Sequence, residues 1–454
     1  MKKVYIVHCI DTEGPLNESL EATFERLKHI YHIDLKPSEK LLKQLQEGKV
    51  DLNGLEESVK NTLNPHYLNY NNNWDKIDLM LRDCLSENFR NKFLDSSGKS
   101  WVYNWHCVDH VDFTYNPRSR AMGYHGVFDH YKKILEDTKS KQDGLHFHYH
   151  PHPMIKHAHL CATRWLGPTD KLFQILSRRI IDRSWFPSTN RPGFQVTRPD
   201  SHWFLEQFIP FDYASLSLEQ SNEYEDQFDL SAGRSGDWRR APVSWEPYHP
   251  SHEDYQTKGD CKRWIARCLN VGTRFANINY KEVERAFIEA QEDRNVILSF
   301  ADHDFRDLRK DVEEAYNLIS TVSKKYPKVK FEFSEAAEAM RKALNLDDIG
   351  KCELELNLKK VNDKAHVLEI NSNKNIFGTQ PYLAIKTKDN EYFHDNLDFQ
   401  VPKKRWTYTF DEETLKLGQI DKIGLAVNSP SGETTVSNID IKTGKNEVTY
   451  LNSR

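Results

Sequence analysis

The sequence predicts a parallel α/β domain followed by a smaller β-sandwich, and three observations support this division. Up to about residue 348, short apolar segments alternate with amphipathic segments of helical period, which is typical of parallel sheets with crossover helices. After Gly350 at least six short alternating segments are separated by Asn, Asp, Lys and Gly, a pattern typical of sandwiches. The 454 residues are enough for two domains, which we place at 1–348 and 349–454.

The order of elements follows from the apolar periodicity. The first strand is predicted at Val4 to Ile10, and a polar helical insertion follows it at about 17–95. Later strands of the first domain are predicted at 101–111, 145–150, 295–300 and 329–333. Helices are predicted at 127–135, 171–183, 280–293, 308–326 and 334–344. The strands of the second domain are predicted at 353–358, 365–370, 382–387, 406–410, 423–427 and 435–441.

Composition excludes several classes of function. The net charge of −5 leaves no basic surplus for a nucleic acid polymer. No segment has the roughly 20 apolar residues of a membrane span, and the first apolar run is interrupted by His8 and Asp11, unlike a signal peptide. The seven cysteines are scattered and form no Cys-x-x-Cys pair. This usage favours a reducing compartment and no thiolate zinc site, so we expect a cytoplasmic protein.

Polar clusters follow the predicted strands, where α/β barrels and sheets place their active sites. The first cluster contains Asp11 and Glu13, two carboxylates that can divide metal binding and proton abstraction between them. A helix cap or a solvated turn is the alternative. The second cluster alternates His146, His148 and His150 along one strand face. Imidazoles beside a carboxylate suit Zn²⁺, Fe²⁺ or Co²⁺, and three histidines hydrogen-bonded in a core would be the rarer arrangement.

Two further clusters complete the set. Arg191 lies on a Pro-Gly turn, from which an arginine can orient a carboxylate through a bidentate pair; a surface arginine is the alternative. His303 lies between Asp302 and Asp304 after an apolar strand, and a nearby carboxylate raises the pKa of a histidine toward that of a general acid. A helix-capping aspartate beside a polar histidine is the alternative.

Taken in order, these motifs resemble the NodB-homology polysaccharide deacetylases, a carbohydrate esterase family. The likeness covers about residues 3–345 and leaves the helical insertion unmatched. It is strongest in Asp11-Thr12-Glu13-Gly14-Pro15, in residues 105–110 and in residues 302–306, which are similar to a branch from bacterial O-antigen and surface-polysaccharide gene clusters. The resemblance implies a distorted parallel (β/α)7-type barrel, one divalent metal ion and hydrolysis of an N-acyl amide.

The resemblance also implies a role for each matching residue. Asp11 would be the base, oriented by Arg191, and His303 the general acid, with Asp237 beside Trp238 as its partner. Glu13, His146 and His150 would be the metal ligands, and the register His148 with His152 fits the same spacing. The implied metal is Zn²⁺, with Fe²⁺, Co²⁺ and Ni²⁺ as alternatives.

The expected substrate is an N-acylated nucleotide sugar or a lipid-linked glycan intermediate, from which an acetyl or formyl group is removed. Two other functions stay open at this point. One is a non-catalytic glycan-binding protein that stacks sugars on aromatic residues of the second domain, namely Tyr382, Tyr392, Phe393, Trp406 and Tyr408; the alternative is that these residues fill the sandwich core. The other is a metal-dependent esterase or phosphoesterase, although the sequence has no glycine loop that cradles phosphate.

Overall fold

The computed structural model describes residues 2–109, 125–151, 170–219, 235–273, 275–347 and 349–452. Within this part of the chain, no helix is both long and apolar enough to cross a membrane. The cysteines of the same part are all free and buried, and Cys161 lies outside it.

Seven parallel strands close into a barrel in the first part of the chain. The strands are β1 (Lys3–Thr12), β2 (Tyr103–Asp109), β3 (Gly144–Tyr149), β4 (Thr189–Asn190), β5 (Phe211–Ser215), β6 (Trp264–Asn270) and β7 (Val296–His303). They are hydrogen-bonded in chain order, and β1 closes the ring by pairing with both β2 and β7. An eighth parallel strand, β8 (Lys330–Phe333), pairs with the amino end of β1. The predicted parallel α/β architecture is confirmed.

Six short helices lie between β1 and β2, in the segment predicted as a helical insertion. They are α1 (Leu20–Tyr31), α2 (Glu39–Gln46), α3 (Glu56–Thr62), α4 (Pro65–Leu68), α5 (Trp74–Cys84) and α6 (Glu87–Arg90). Side-chain caps start several of them: Ser19, Ser38, Asn73 and Ser86 each accept a hydrogen bond from a backbone N–H of the first turn. The remaining α-helices of the described residues are α7 (Gly126–Asp137), α8 (Asp170–Arg183), α9 (Pro199–Phe208), α10 (Tyr280–Gln291), α11 (Leu308–Lys325) and α12 (Ala336–Ala343).

The inward face of β1 is apolar at its amino end and polar at its carboxyl end. Side chains alternate along a strand, so Val7, Cys9 and Asp11 of β1 share the inward face. Val7 and Cys9 belong to one buried cluster with residues of β5, β6 and β7 and with the alanine-rich face of α12. Small side chains on α12 allow this helix to pack closely against the interior. Asp11, one step further along β1, begins the polar layer.

Two antiparallel sheets follow α12, beginning at Leu354. One sheet has the order β13-β14-β10-β9 and the other the order β12-β11-β15-β16-β17. Their bounds are β9 (Leu354–Lys360), β10 (His366–Ser372), β11 (Tyr382–Thr387), β12 (Tyr392–Asp395), β13 (Asp398–Val401), β14 (Arg405–Phe410), β15 (Ile420–Asn428), β16 (Thr434–Asp440) and β17 (Asn446–Leu451). Both sheets contribute to a single hydrophobic cluster. The predicted β region after residue 349 is confirmed, and its sheets are antiparallel.

The aromatic residues of this β region are mostly buried. Tyr382, Tyr392, Trp406 and Tyr408 are at most 8% exposed, and only Phe393 of the five predicted stacking residues is 39% exposed. Tyr382 donates a hydrogen bond to the carbonyl of Phe173 in α8. Four of the five side chains therefore fill the protein interior, and they offer no face to a sugar ring.

Candidate metal centre

Glu13, His148 and His150 form a buried group at the carboxyl ends of β1 and β3. Their potential ligand atoms all lie within 4.8 Å of one another. The Nε2 atoms of His148 and His150 are 3.1 Å apart, and Glu13 Oε1 is 4.0 Å from His150 Nε2. Two nitrogens bound tetrahedrally to one metal at about 2.0–2.1 Å are about 3.3 Å apart. The group therefore has the donor types and spacing that a small divalent cation requires.

The orientation of His148 fixes its tautomer. Its Nδ1 lies 2.8 Å from the backbone carbonyl of Arg191, and a carbonyl oxygen can only accept a hydrogen bond. Nδ1 is therefore the protonated nitrogen, and the lone pair is on Nε2, which faces the group. Histidine ligands are commonly held in this way by a carbonyl on the far side of the ring.

Gly193 makes room for the second histidine. A Cβ at this position would lie 2.3 Å from Cδ2 of His150, so any larger residue would displace the ring. The next two residues, Phe194 and Gln195, have φ values of 52° and 50°, a left-handed conformation that costs non-glycine residues energy and persists where the surroundings impose it. The surroundings here include Trp238, whose Nε1 donates to the carbonyl of Gln195 at 2.7 Å.

Asp11 is held beside this group by Arg191. The guanidinium Nε donates to Asp11 Oδ1 at 2.8 Å, and both side chains are buried. Burial by itself would lower the pKa of Arg191, but the negative charge of Asp11 more than offsets this and the pKa is raised. The contact uses one guanidinium nitrogen rather than the expected bidentate pair, and Nη1 donates to the carbonyl of Tyr213. Arg191 thus orients Asp11 and fastens it to β5.

His303 approaches Asp11 from the opposite side, at the end of β7. Its Nε2 is 3.8 Å from Asp11 Oδ2, and its side chain is 22% exposed. Asp11 Oδ1, in contrast, is 3.4 Å from His148 Nδ1. The carboxylate therefore lies between the histidine group on β3 and a histidine that solvent can reach.

The structure does not bring His146 into this group. His146 Nε2 is 3.1 Å from Asn104 Oδ1 and 3.2 Å from Glu335 Oε1, deeper in the barrel. Burial lowers the pKa of His146, and Glu335 opposes this effect. The three histidines share one strand face as expected, but each step of two residues advances about 6.6 Å along the strand. Only His148 and His150 reach Glu13 together, and His152 lies outside the described residues.

The structure also separates Asp237 from the place assigned to it. Its carboxylate accepts from Nε and Nη2 of Arg239, each at 3.0 Å, and its side chain is 42% exposed. The bond to Arg239 lowers the pKa of Asp237 although partial burial opposes this. An arginine two residues away in the same turn captures this carboxylate, so Asp237 is a surface ion-pair partner and not the orienting partner of His303. Its neighbour Trp238 donates a hydrogen bond to the carbonyl of Gln195 and so stabilises the turn that follows Arg191.

The sequence did not predict the contacts of two residues that shape the centre. Gly193 contacts His150, and Asp304 accepts hydrogen bonds from the backbone that carries Glu13. A glycine in the Arg191-Pro192-Gly193 turn and a second acid next to His303 were the available signals. Neither signal shows what the residue contacts, because both partners are more than 40 positions away in the chain.

No protein family matches this chain, and neither characterised proteins nor solved structures give a match. The fold and the site therefore define the class of this protein: a parallel β/α barrel with a buried Glu–His–His group at the carboxyl ends of its strands. Within that class, function rests on the chemistry of the residues just described.

Proposed function

We propose that this protein is a divalent-metal-dependent amidohydrolase of the NodB-homology polysaccharide deacetylase type. The observation that carries the proposal is the grouping of three features at one barrel mouth. A candidate ligand set, Glu13, His148 and His150, lies beside an arginine-held carboxylate, Asp11. A partly exposed imidazole, His303, lies on the other side of that carboxylate. Base, acid and metal ligands are the components that amide hydrolysis of this type needs.

The donor set of the centre fits the proposed metal. Two imidazole nitrogens and one carboxylate oxygen suit Zn²⁺, and they also suit Fe²⁺, Co²⁺ or Ni²⁺. A metal held there would polarise the amide carbonyl and lower the pKa of water. The finer description of the barrel as a distorted (β/α)7 fold belongs to this proposal as well.

The residues of the chain then divide the proton transfers. Asp11 takes the proton from the attacking water, and its ion pair with Arg191 keeps the carboxylate oriented for this. His303 gives a proton to the departing nitrogen, which requires contact with the substrate. The geometry supports this division, since the His303 side chain is more exposed than that of Asp11 and can reach a substrate. The products would be an amino sugar and a carboxylic acid.

The proposed substrate is an N-acetylated or N-formylated sugar of a surface-glycan precursor, carried on a nucleotide or a lipid. The competing function of glycan binding loses support, because four of its five aromatic residues are buried. A metal-dependent esterase would use the same centre, so the substrate screen must include O-acylated sugars.

Metal analysis with matched histidine variants tests the proposal. We expect about one Zn, Fe, Co or Ni per chain in the wild type, loss of the metal in His148→Ala and His150→Ala, and retention in His146→Ala. Asp11→Asn should keep the metal and lose release of acetate or formate from N-acylated nucleotide sugars. A wild-type protein without metal after supplementation, or turnover that survives Asp11→Asn, would contradict the proposed function.

A further inference from the structure

Asp304 carries a buried carboxylate that accepts hydrogen bonds from the turn that holds Glu13. It is fully buried. Oδ1 accepts from the backbone N–H of Glu13 at 2.9 Å, and Oδ2 accepts from the backbone N–H of Gly14 at 2.9 Å. The hydroxyl of Tyr131 in α7 also donates to Oδ2, at 2.9 Å. Three donors thus converge on one carboxylate.

The position of Glu13 depends on these bonds because the strand ladder does not extend to it. Strand β1 ends at Thr12, and its pairing with β7 ends at Asp11. Gly14 has a φ of 75°, so the chain turns sharply at this point. Hydrogen bonds from backbone N–H groups to an ionised carboxylate are stronger than those between neutral groups. Asp304 therefore replaces the missing ladder as the anchor of this turn.

The helical insertion reinforces the anchor through Asn71, in the loop between α4 and α5. Its side-chain amide donates to the carbonyls of Asp304 at 3.1 Å and Arg306 at 3.0 Å. Its backbone N–H donates to Phe305, and its carbonyl accepts from Leu16. Asn71 therefore joins the segment after β1 to the segment after β7.

We propose that Asp304 is a positioning residue for the metal ligand Glu13, and that Asn71 makes the helical insertion a structural part of the metal centre. This inference rests on the proposed metal-dependent function. It assigns a role to an acid whose carboxylate accepts from the backbone of Glu13 and whose backbone N–H lies 3.4 Å from the carbonyl oxygen of Asp11. It also explains why the helical insertion at about 17–95 can follow β1 without loosening the turn that holds Glu13.

Binding of Co²⁺ to the full-length protein after chelator treatment tests the role in ligand placement. In Asp304→Asn an amide N–H group faces backbone donors, so Glu13 should shift; we expect Co²⁺ affinity to fall about 10- to 100-fold, the usual loss for a group that orients a ligand. The visible absorption spectrum of bound Co²⁺ should also change. The matched control is Tyr131→Phe, which keeps both backbone bonds and should bind within about threefold of the wild type with an unchanged spectrum.

Wild-type affinity and spectrum in a folded Asp304→Asn protein would overturn the inference. If that variant does not fold, hydrogen exchange of the wild-type apoprotein decides instead, since the Glu13 and Gly14 amides should be as protected as those of β1. Exchange at the rate of an open loop would also overturn the inference. If the wild type binds no Co²⁺ while these amides are protected, the proposed metal function fails and Asp304 remains the anchor of the turn.

Discussion

Replacing Gly193 by alanine is the most direct test of the histidine pair seen in the structure. The added Cβ would lie 2.3 Å from His150 Cδ2 and 2.4 Å from its Nε2. Real Cβ contacts lie beyond 3.0 Å, so the ring must move by about 1 Å, whereas metal–ligand distances tolerate about 0.2 Å. We therefore expect the affinity for Zn²⁺ or Co²⁺ to fall at least about tenfold. The overpacking should destabilise the fold by about 1–3 kcal/mol.

The chain offers two matched controls for this experiment. In Gly144→Ala the new Cβ would lie 2.4 Å from Nε2 of His146, so the variant perturbs the histidine that the structure leaves out of the centre. Gly418 has no atom within 4 Å of its Cβ position, so Gly418→Ala reports the effect of the substitution alone. Calorimetric titration with the metal should show weakened binding in Gly193→Ala only. Thermal unfolding reports how much each substitution destabilises the fold. Equal losses in Gly193→Ala and Gly144→Ala would refute the pairing of His148 with His150.

Three further predictions concern single ionisable side chains. Arg191→Ala leaves Asp11 buried without its main partner and should lower the free energy of unfolding by about 3–5 kcal/mol, measured by urea denaturation; an unchanged midpoint would contradict the pairing. Burial raises the pKa of Asp109 to about 7, with Arg179 opposing, so the folded state holds a proton that the unfolded state releases. The free energy of unfolding should therefore decrease as the pH rises from about 4 to about 7. In Asp109→Asn, thermal unfolding should depend less on pH over this range. His303→Gln should keep the metal and lose turnover; full turnover would remove His303 as the acid.

The sequence predicted most of the individual strands of the first domain, but it did not predict all the strands that close the barrel. The strands β1, β2, β3, β7 and β8 were predicted, whereas β4, β5 and β6 were not. β6 carries Arg267, which looks like a surface residue in sequence but is buried and paired with Glu282 at 2.9 Å. The strand sequence does not show that Arg267 has a partner 15 positions away. A buried charged residue therefore interrupts the apolar pattern by which a buried strand is predicted.

The candidate site shows the same division. Asp11, Glu13, Arg191 and His303 were singled out because they follow strand ends, and the structure places all four at one mouth of the barrel. Asp237 was singled out by its order in the chain, and the structure gives it to Arg239 instead. Position at a strand end is enforced by the common direction of parallel strands, whereas the contacts of a turn residue depend on local partners.

The sequence by itself determined the alternation of strands and helices, the short strands of the last 100 or so residues and the shared face of His146, His148 and His150, because all three depend on local periodicity. Only the tertiary structure decided which two histidines reach Glu13, since depth in a barrel is set by the pairing of β3 with β2 and of β1 with β7. Only it showed that Asp304 anchors Glu13, because the two residues are 291 positions apart and meet only when the barrel closes.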